Sequence, residues 1–550
     1  MFGTSDRNLQ TFATNPGKEV NMKAWKMELY LEMNELKHMN MNKKFLKLVF
    51  NILVGCIFSL NTTTAQEQIP LQGEAHRPQF HFSPKAHWMN DPNGMVYYKG
   101  VYHLFYQYYP NGTVWGPMHW GHATTKDFFH WQEKPIALYP DSLGYIFSGS
   151  IVMDEHNTSG LGKEGKAPMV AIFTHHDPKL EEKKTNNFQN QSIAYSLDEG
   201  NTWTKYSGNP VLRNPGITDF RDPKVMWYEA GKKWIMTLAT KDRITFYSSK
   251  DLKDWKKESE FGNNLGAHGG VWECPDLFPL EYQGKTVWVL LVSINPGGPN
   301  GGSATQYFTG SFDGSKFATD SKSKKWMDYG TDNYAGVTWS NTGNRKIFIG
   351  WMNNWQYANQ VPTKNWRGAT TIARDLYLYQ NAGDFYVQSI PVKEMNVHLK
   401  PVYKKKSLTL NKEIDLSDYT KDLGGRMKLD FTFNTSENVQ LVLSNKGGQK
   451  LLVGYDYQTK TYYIDRTHAG VSDFEKGFAK KHTAPRIAST TYAKVSLILD
   501  VASAELFADD GLTVMTDVFF PGTLMNSVHF PENKNQKISN LVLSAIPSFQ

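Results

Sequence analysis

Three carboxylates stand in similar settings along this chain: Asp91 in "WMNDPNG", Asp222 in "DFRDPK" and Glu273 in "GGVWECPDLF". Each lies at or near an aromatic strand-like run and has a proline one or two residues later, a context that suits an acid aimed at a site better than one on solvated surface. Asp-Pro and Asn-Gly are ordinary turn formers, so the first motif alone reads as a hairpin turn. Three such acids brought together suit the cleavage of a glycosidic bond. There one carboxyl protonates the leaving oxygen while another attacks or stabilises the oxocarbenium-like centre. Their environments must then differ. An acid desolvated beside Trp272 would hold its proton, whereas a carboxylate fed by turn amides would stay ionised. Cys274 follows Glu273 but has no base pattern of its own, so it does not read as a nucleophile. His119 and His122 of "MHWGH" lack partner ligands at recognisable spacing; they read as strand-packing residues, and no metal site is expected.

The elements that must carry these residues are strands. From about Arg77 to Tyr379, segments such as "VYHLFYQYY", "KWIMTLAT" and "TVWVLLVSI" alternate with Gly, Asn, Asp and Pro, without a long amphipathic helix. A short repeat punctuates them: Thr125-Lys126-Asp127 before Trp131, Ser196-Leu197-Asp198 before Trp203, Ser249-Lys250-Asp251 before Trp255, and Ser311-Phe312-Asp313 before Phe317. Each unit reads as a hairpin turn tied by its Asp and Ser/Thr, with the aromatic packed on the sheet. Repetition of this kind predicts a β-propeller, the alternative being unrelated hairpins in a large sandwich. After Tyr386 a lysine-containing connector leads to alternating strands such as "RMKLDFTFN" and "ISNLVLSAI", the pattern of a β-sandwich. The expected division is an extension with leader over 1–65, a propeller over 66–395 and a sandwich over 396–550.

Aromatic residues make up 14% of the 550, which with the modest charged fraction favours an all-β enzyme or lectin over a helical or disordered chain. The formal charge of +7 includes eight basic and five acidic residues within 1–65, leaving only +4 over the rest, too little for a nucleic-acid partner. "MNKKFLKLVFNILVGCIFSLNTTTAQEQ" has a cationic head, an apolar run from Leu48 to Leu60 and small polar residues, and reads as a secretory signal peptide too short to span a bilayer. Met39 or Met41 suits the true start. Export from a bacterium to the periplasm, cell surface or medium is expected. The rival reading takes "LVGC" as a lipobox that anchors the protein through a lipid on Cys56. If the leader is removed after Ala65, Cys274 is the one cysteine left and no internal disulfide forms.

The motifs "WMNDPNG", "FYQYYP", "WGPMHWGHATTKDFFHW", "IFSGS", "FRDPK", "WECPDL" and "IGWMNNWQYA", in that order, resemble those of glycoside hydrolase family 32, whose members are invertases, inulinases, levanases and related fructosyltransferases. The resemblance covers the chain from about Arg77 onward. It implies an all-β fold, a five-bladed β-propeller followed by a C-terminal β-sandwich, working without a cofactor. It further implies that Asp91 is the nucleophile, Glu273 the general acid/base, and Asp222 the residue that binds fructose hydroxyls and supports the transition state. Asn90 would hydrogen-bond the sugar and Trp88 wall the pocket. Gln107, Trp115, Phe147, Ser148, Arg221 and Trp351 match positions around the terminal fructosyl unit, and Trp355 has a weaker claim. Retention of configuration would place the two reacting carboxyls about 5–5.5 Å apart. "LYPDSLGYIFSGS" resembles fructan-degrading members, which favours levan or inulin over sucrose. The alternatives are a fructosyltransferase, a non-catalytic carbohydrate-binding propeller and a five-bladed glycosidase of arabinan or xylan. The sandwich either binds polymer or supports the propeller, support being the simpler reading.

Overall fold

Strands built from β-branched and aromatic residues supply nearly all the regular structure in the computed structural model, which describes residues 74–550. The leader reading of residues 1–65, with the lipobox at Cys56, lies outside the described residues. Five successive sheets surround an axis as the blades of a propeller. Their innermost strands are His87–Tyr98, Tyr145–Met153, Phe220–Tyr228, Val271–Tyr282 and Tyr334–Thr338. Each touches the innermost strand of the next blade, and the fifth returns to the first. Ser340 seals that closure: its N–H donates to Met95 O at 3.0 Å, its hydroxyl to Ile151 O at 2.7 Å, and its carbonyl accepts from Tyr97 N at 3.0 Å. A late two-residue strand, Trp366–Arg367, also runs parallel to the start of the first blade.

The Ser/Thr-x-Asp repeat marks the turn between the third and fourth strands of the first four blades. In the first three, the hydroxyl of Thr125, Ser196 or Ser249 bonds the aspartate two residues on, at 3.2, 2.7 and 3.0 Å. The indole N–H of Trp131, Trp203 or Trp255 then donates to a turn carbonyl at 3.0–3.1 Å. The fourth turn departs from the pattern. Asp313 still caps Ser315 N and Lys316 N, but Phe317 has no N–H to give and packs only by its ring.

The C-terminal sandwich is two six-stranded sheets. Its core follows the alternation read from sequence: in Met427–Asn434, residues Met427, Leu429, Phe431 and Phe433 point inward and the intervening residues are partly exposed. Ile498, Phe507, Val514 and Ile546 point the other way and join one continuous apolar core with Phe80, Met95 and Ile372 of the propeller side. Burying ions at such a junction requires partners for each. Arg374 bonds Asp328 at 3.0 Å and Glu505 at 2.6 Å, and His81 lies between Glu505 at 2.8 Å and Asp500 at 2.9 Å, all of them buried.

Burial alone would lower the basicity of His81, but the hydrogen bonds it donates to both carboxylates raise its pKa to about 9. A histidine raised in the fold stabilises it fully below about pH 6.5, the unfolded value, and loses that contribution as pH climbs through 9. The unfolding free energy from denaturant titration should therefore fall between pH 7 and 9.5, by an amount on the order of 3 kcal/mol at most. His81→Gln should flatten that decline; a decline of unchanged size in the variant would assign it to other groups.

Candidate active site

Every innermost strand breaks register where it reaches the axis. The irregularities fall between Met89 and Pro92, Ile146 and Gly149, Arg221 and Lys224, Glu273 and Asp276, and Tyr334 and Val337. A bulge bends the strand and re-aims a side chain, and here five do so at one level of the ring. Asp222, Cys274 and Ala335 take positive φ at these points (65°, 43° and 53°), which costs a non-glycine residue stability and persists only where the surroundings enforce it. The prolines after Asp91, Asp222 and Cys274 fit because an innermost strand has an unpaired edge facing the axis. "WMNDPNG" is therefore no hairpin turn. It lies inside the continuous strand His87–Tyr98, with a glycine at 94 because φ is 55° there and a Cβ would meet the Trp120 ring at 2.7 Å.

The three acids converge on one open cavity of about 400 Å³, lined also by Asn90, Gln107, Trp115, Phe147, Ser148 and Arg221. Asp91 accepts from Asn90 Nδ2 at 2.9 Å and from Ser148 Oγ at 2.9 Å, and the Cys274 thiol bridges its Oδ2 (3.4 Å) to Asp222 Oδ2 (3.6 Å). Asp222 also accepts from Cys274 N at 3.0 Å. Arg221 donates to Glu273 Oε1 through Nη2 (3.0 Å) and Nε (3.2 Å) and to Asp219 at 2.5 Å, while the Tyr334 hydroxyl holds Glu273 Oε2. Further along the same strands the axis is closed: Lys224 Nζ donates to Thr338 O at 2.5 Å, Thr338 N to Asp276 at 2.6 Å and Ser150 Oγ to Pro223 O at 2.9 Å. The cavity thus has a floor.

Four carboxylates, those of Asp91, Asp219, Asp222 and Glu273, around one guanidinium leave a net negative charge in the cavity. Burial, then repulsion from Glu273, raises Asp91 above the usual carboxylate range. Burial pushes Asp222 up to about 7, opposed by Arg221 and reinforced by Glu273 and Asp91. Asp91 and Asp222 therefore hold a proton more readily than an exposed carboxylate does. This differs from the expectation of a carboxylate kept ionised by turn amides, because the bulges give Asp91 no backbone donor and Asp222 only one. The pairing of Glu273 with Trp272 also fails. Successive strand residues face opposite sides, so Trp272 is buried among Ile235, Phe261 and Phe308 while Glu273 meets Arg221 and Tyr334.

Two aromatic residues sit elsewhere than expected. Trp88 and Trp351 are fully buried and do not line the cavity; Trp355 does, in front of both, with ring centroids 5.8 Å from Trp88 and 4.9 Å from Trp351. Trp88 works from behind, its indole N–H donating to Asn90 Oδ1 at 2.7 Å. Trp115, 39% exposed, stands at the rim edge-on to Phe147, which stacks on His176 at 4.3 Å. His122 packs as the sequence suggested, buried and stacked on Phe105 at 4.1 Å. Sequence reasoning missed His176, Glu181, Phe188, Gln189, Asp219 and Asn359 in the lining and Tyr334 behind Glu273. Asp219 was within reach, three residues before Asp222 in the same motif; the others carry no local signal.

A floored cavity at a propeller axis, with acids on facing strands and aromatic rings at its mouth, defines a carbohydrate-cleaving enzyme of the two-carboxylate kind. The chain matches the glycosyl hydrolases family 32 N-terminal domain over residues 81–389 and the family 32 C-terminal domain over 396–545, and it belongs to that family of glycoside hydrolases. It is 43% identical to a levanase of Bacillus subtilis, over 90% of this chain and 73% of that protein. It is 39% identical to an extracellular exo-inulinase of Aspergillus awamori, over 83% and 91%. The crystal structure of exo-inulinase from that fungus superposes with a TM-score of 0.80 at 36% identity, covering 87% of this chain and 99% of the other. A fructofuranosidase from Schwanniomyces occidentalis complexed with fructose gives 0.78 at 34%, covering 86% and 99%.

Proposed function

We propose that this protein is an exported β-fructofuranosidase that removes terminal fructosyl units from levan or inulin and also cleaves sucrose, with retention of configuration. The observation that carries the reading is the convergence of Asp91, Asp222 and Glu273 from three blades on one floored cavity of a size that suits a small ligand. Glu273 protonates the glycosidic oxygen as Asp91 attacks the anomeric carbon. The shortened chain or glucose leaves, and a fructosyl ester remains on Asp91. Water then enters, gives its proton to Glu273 and attacks the same carbon, freeing fructose and the Asp91 carboxylate. Arg221, at 3.0 Å from Glu273, compensates the negative charge on that residue after it has given up its proton, and Asp222 accepts hydrogen bonds from fructose hydroxyls. Asn90, Gln107, Ser148 and Trp355 hold the ring, and Trp115 and Phe147 form the wall toward the leaving group.

The closed floor keeps a polymer from threading through the axis, and one of the relatives above carries a name that fits attack at chain ends, an exo-inulinase. Export is supported by the leader read in residues 1–65 and by the extracellular relative; anchoring through Cys56 is its variant form. No described helix is long and apolar enough to cross a membrane. The test is to incubate the purified protein separately with levan, inulin and sucrose and to chromatograph the products over time. Fructose as the sole early product from a fructan is expected. A ladder of oligosaccharides would replace exo by endo attack, products longer than the substrate would indicate a transferase, and no turnover of any of the three would overturn the reading.

A further inference from the structure

Away from the cavity, the first-blade turn carries a group of side chains that the fructosidase reaction does not use. Asp127 caps this turn with one oxygen only: Oδ1 accepts from Phe129 N at 3.0 Å and His130 N at 2.9 Å. Its other oxygen, Oδ2, faces two imidazoles, His130 Nδ1 at 2.6 Å and His398 Nε2 at 3.7 Å. His398 comes from the connector between propeller and sandwich, at the end of the short 3₁₀ turn Lys393–Val397. Its Nε2 is buried and makes no hydrogen bond, a state that costs free energy unless a partner arrives. Phe129 and Phe549 hold the rings in place: Phe549 lies edge-on to His130 at 4.7 Å and to His398 at 4.8 Å, and Phe129 packs on His398 at 5.0 Å.

We propose that Asp127 Oδ2, His130 Nδ1 and His398 Nε2 form a binding site for a divalent transition-metal ion of the zinc class. One carboxylate and two imidazoles are a usual zinc donor set, with water in the fourth position. The three donor atoms already lie within 4.8 Å of one another. Donors around a tetrahedral ion with bonds of about 2.0–2.1 Å are separated by roughly 3.3 Å, so closure needs side-chain shifts of no more than about 1.5 Å. His130, 65% exposed, can make that shift and leaves an approach from solvent, where a groove of about 390 Å³ reaches Asp127 and His130. The bound ion would clip the first blade to the connector and, through Phe549, to the C-terminal tail. Its role is stability at the junction, since none of these residues lines the catalytic cavity.

The test uses the full chain, stripped with a chelator and titrated with Zn²⁺ by calorimetry, with thermal melting alongside. One ion per chain at micromolar or tighter affinity and a raised Tm are expected. His130→Ala and His398→Ala should each weaken binding at least tenfold and remove the Tm gain, while fructosidase turnover stays unchanged as proof of folding. His130, being exposed, gives the safe variant if His398→Ala folds poorly. Absence of saturable binding to the parent protein overturns the proposal, and so does binding of unchanged strength in His130→Ala, which would place the ion elsewhere.

Discussion

Asp91→Asn should lower kcat/KM for sucrose and for fructan by about 10⁴-fold or more, with folding intact. Asparagine keeps the shape and the contacts with Ser148 and Cys274 but cannot form the fructosyl ester. It also removes a buried carboxyl that burial and Glu273 make costly to ionise, so thermal stability near pH 7 should match or exceed that of the parent. Glu273→Gln separates the two roles. It should cost roughly 10²–10⁴-fold on natural substrates, whose leaving oxygen needs a proton, and far less in the first step on fructosyl fluoride, which leaves without one. The same variant withdraws the repulsion that helps raise Asp91. Its acid limb on the fluoride substrate should therefore lie at lower pH than in the parent. Equal losses on both substrates would take the acid/base role away from Glu273, and an unmoved limb would remove its repulsion as a cause of the raised Asp91.

Arg374→Met should be the most damaging substitution outside the site, at about 3–5 kcal/mol in urea or guanidinium unfolding. The arginine is fully buried, and its removal strands Asp328 without a counter-charge and leaves Glu505 with His81 alone, while Thr516 loses a donor. Asp328 belongs to the propeller side and Glu505 to the sandwich, so the loss falls on the junction. A loss below about 1 kcal/mol for Arg374→Met would mean that water reaches the junction.

The order and type of the strands were legible because half-buried sheets leave an alternating pattern, and because the turn repeat needs particular side chains to satisfy its amides. That signal was complete where Trp131, Trp203 and Trp255 each close a turn and weakened at Phe317, which keeps the apolar part alone. The acids of the cavity were legible because an acid followed by proline within a strand-like run is unusual. Trp355 and Trp351 were ranked in the wrong order: both are large aromatic residues in one motif, and only packing decides which of them faces the cavity. Tyr334, His176 and Glu181 left no trace, since their relevance comes from neighbours far away in the chain.

By itself the sequence determined the all-β character, the placement of acids beside prolines and the change of pattern after Tyr386, all matters of residue type and short-range spacing. Closure of the ring decided the rest. It set five bulges at one level of the axis, put Cys274 between Asp91 and Asp222, turned Trp272 away from Glu273 and brought His398 against Asp127. Those juxtapositions depend on where distant strands meet in space, and local propensity carries no record of it.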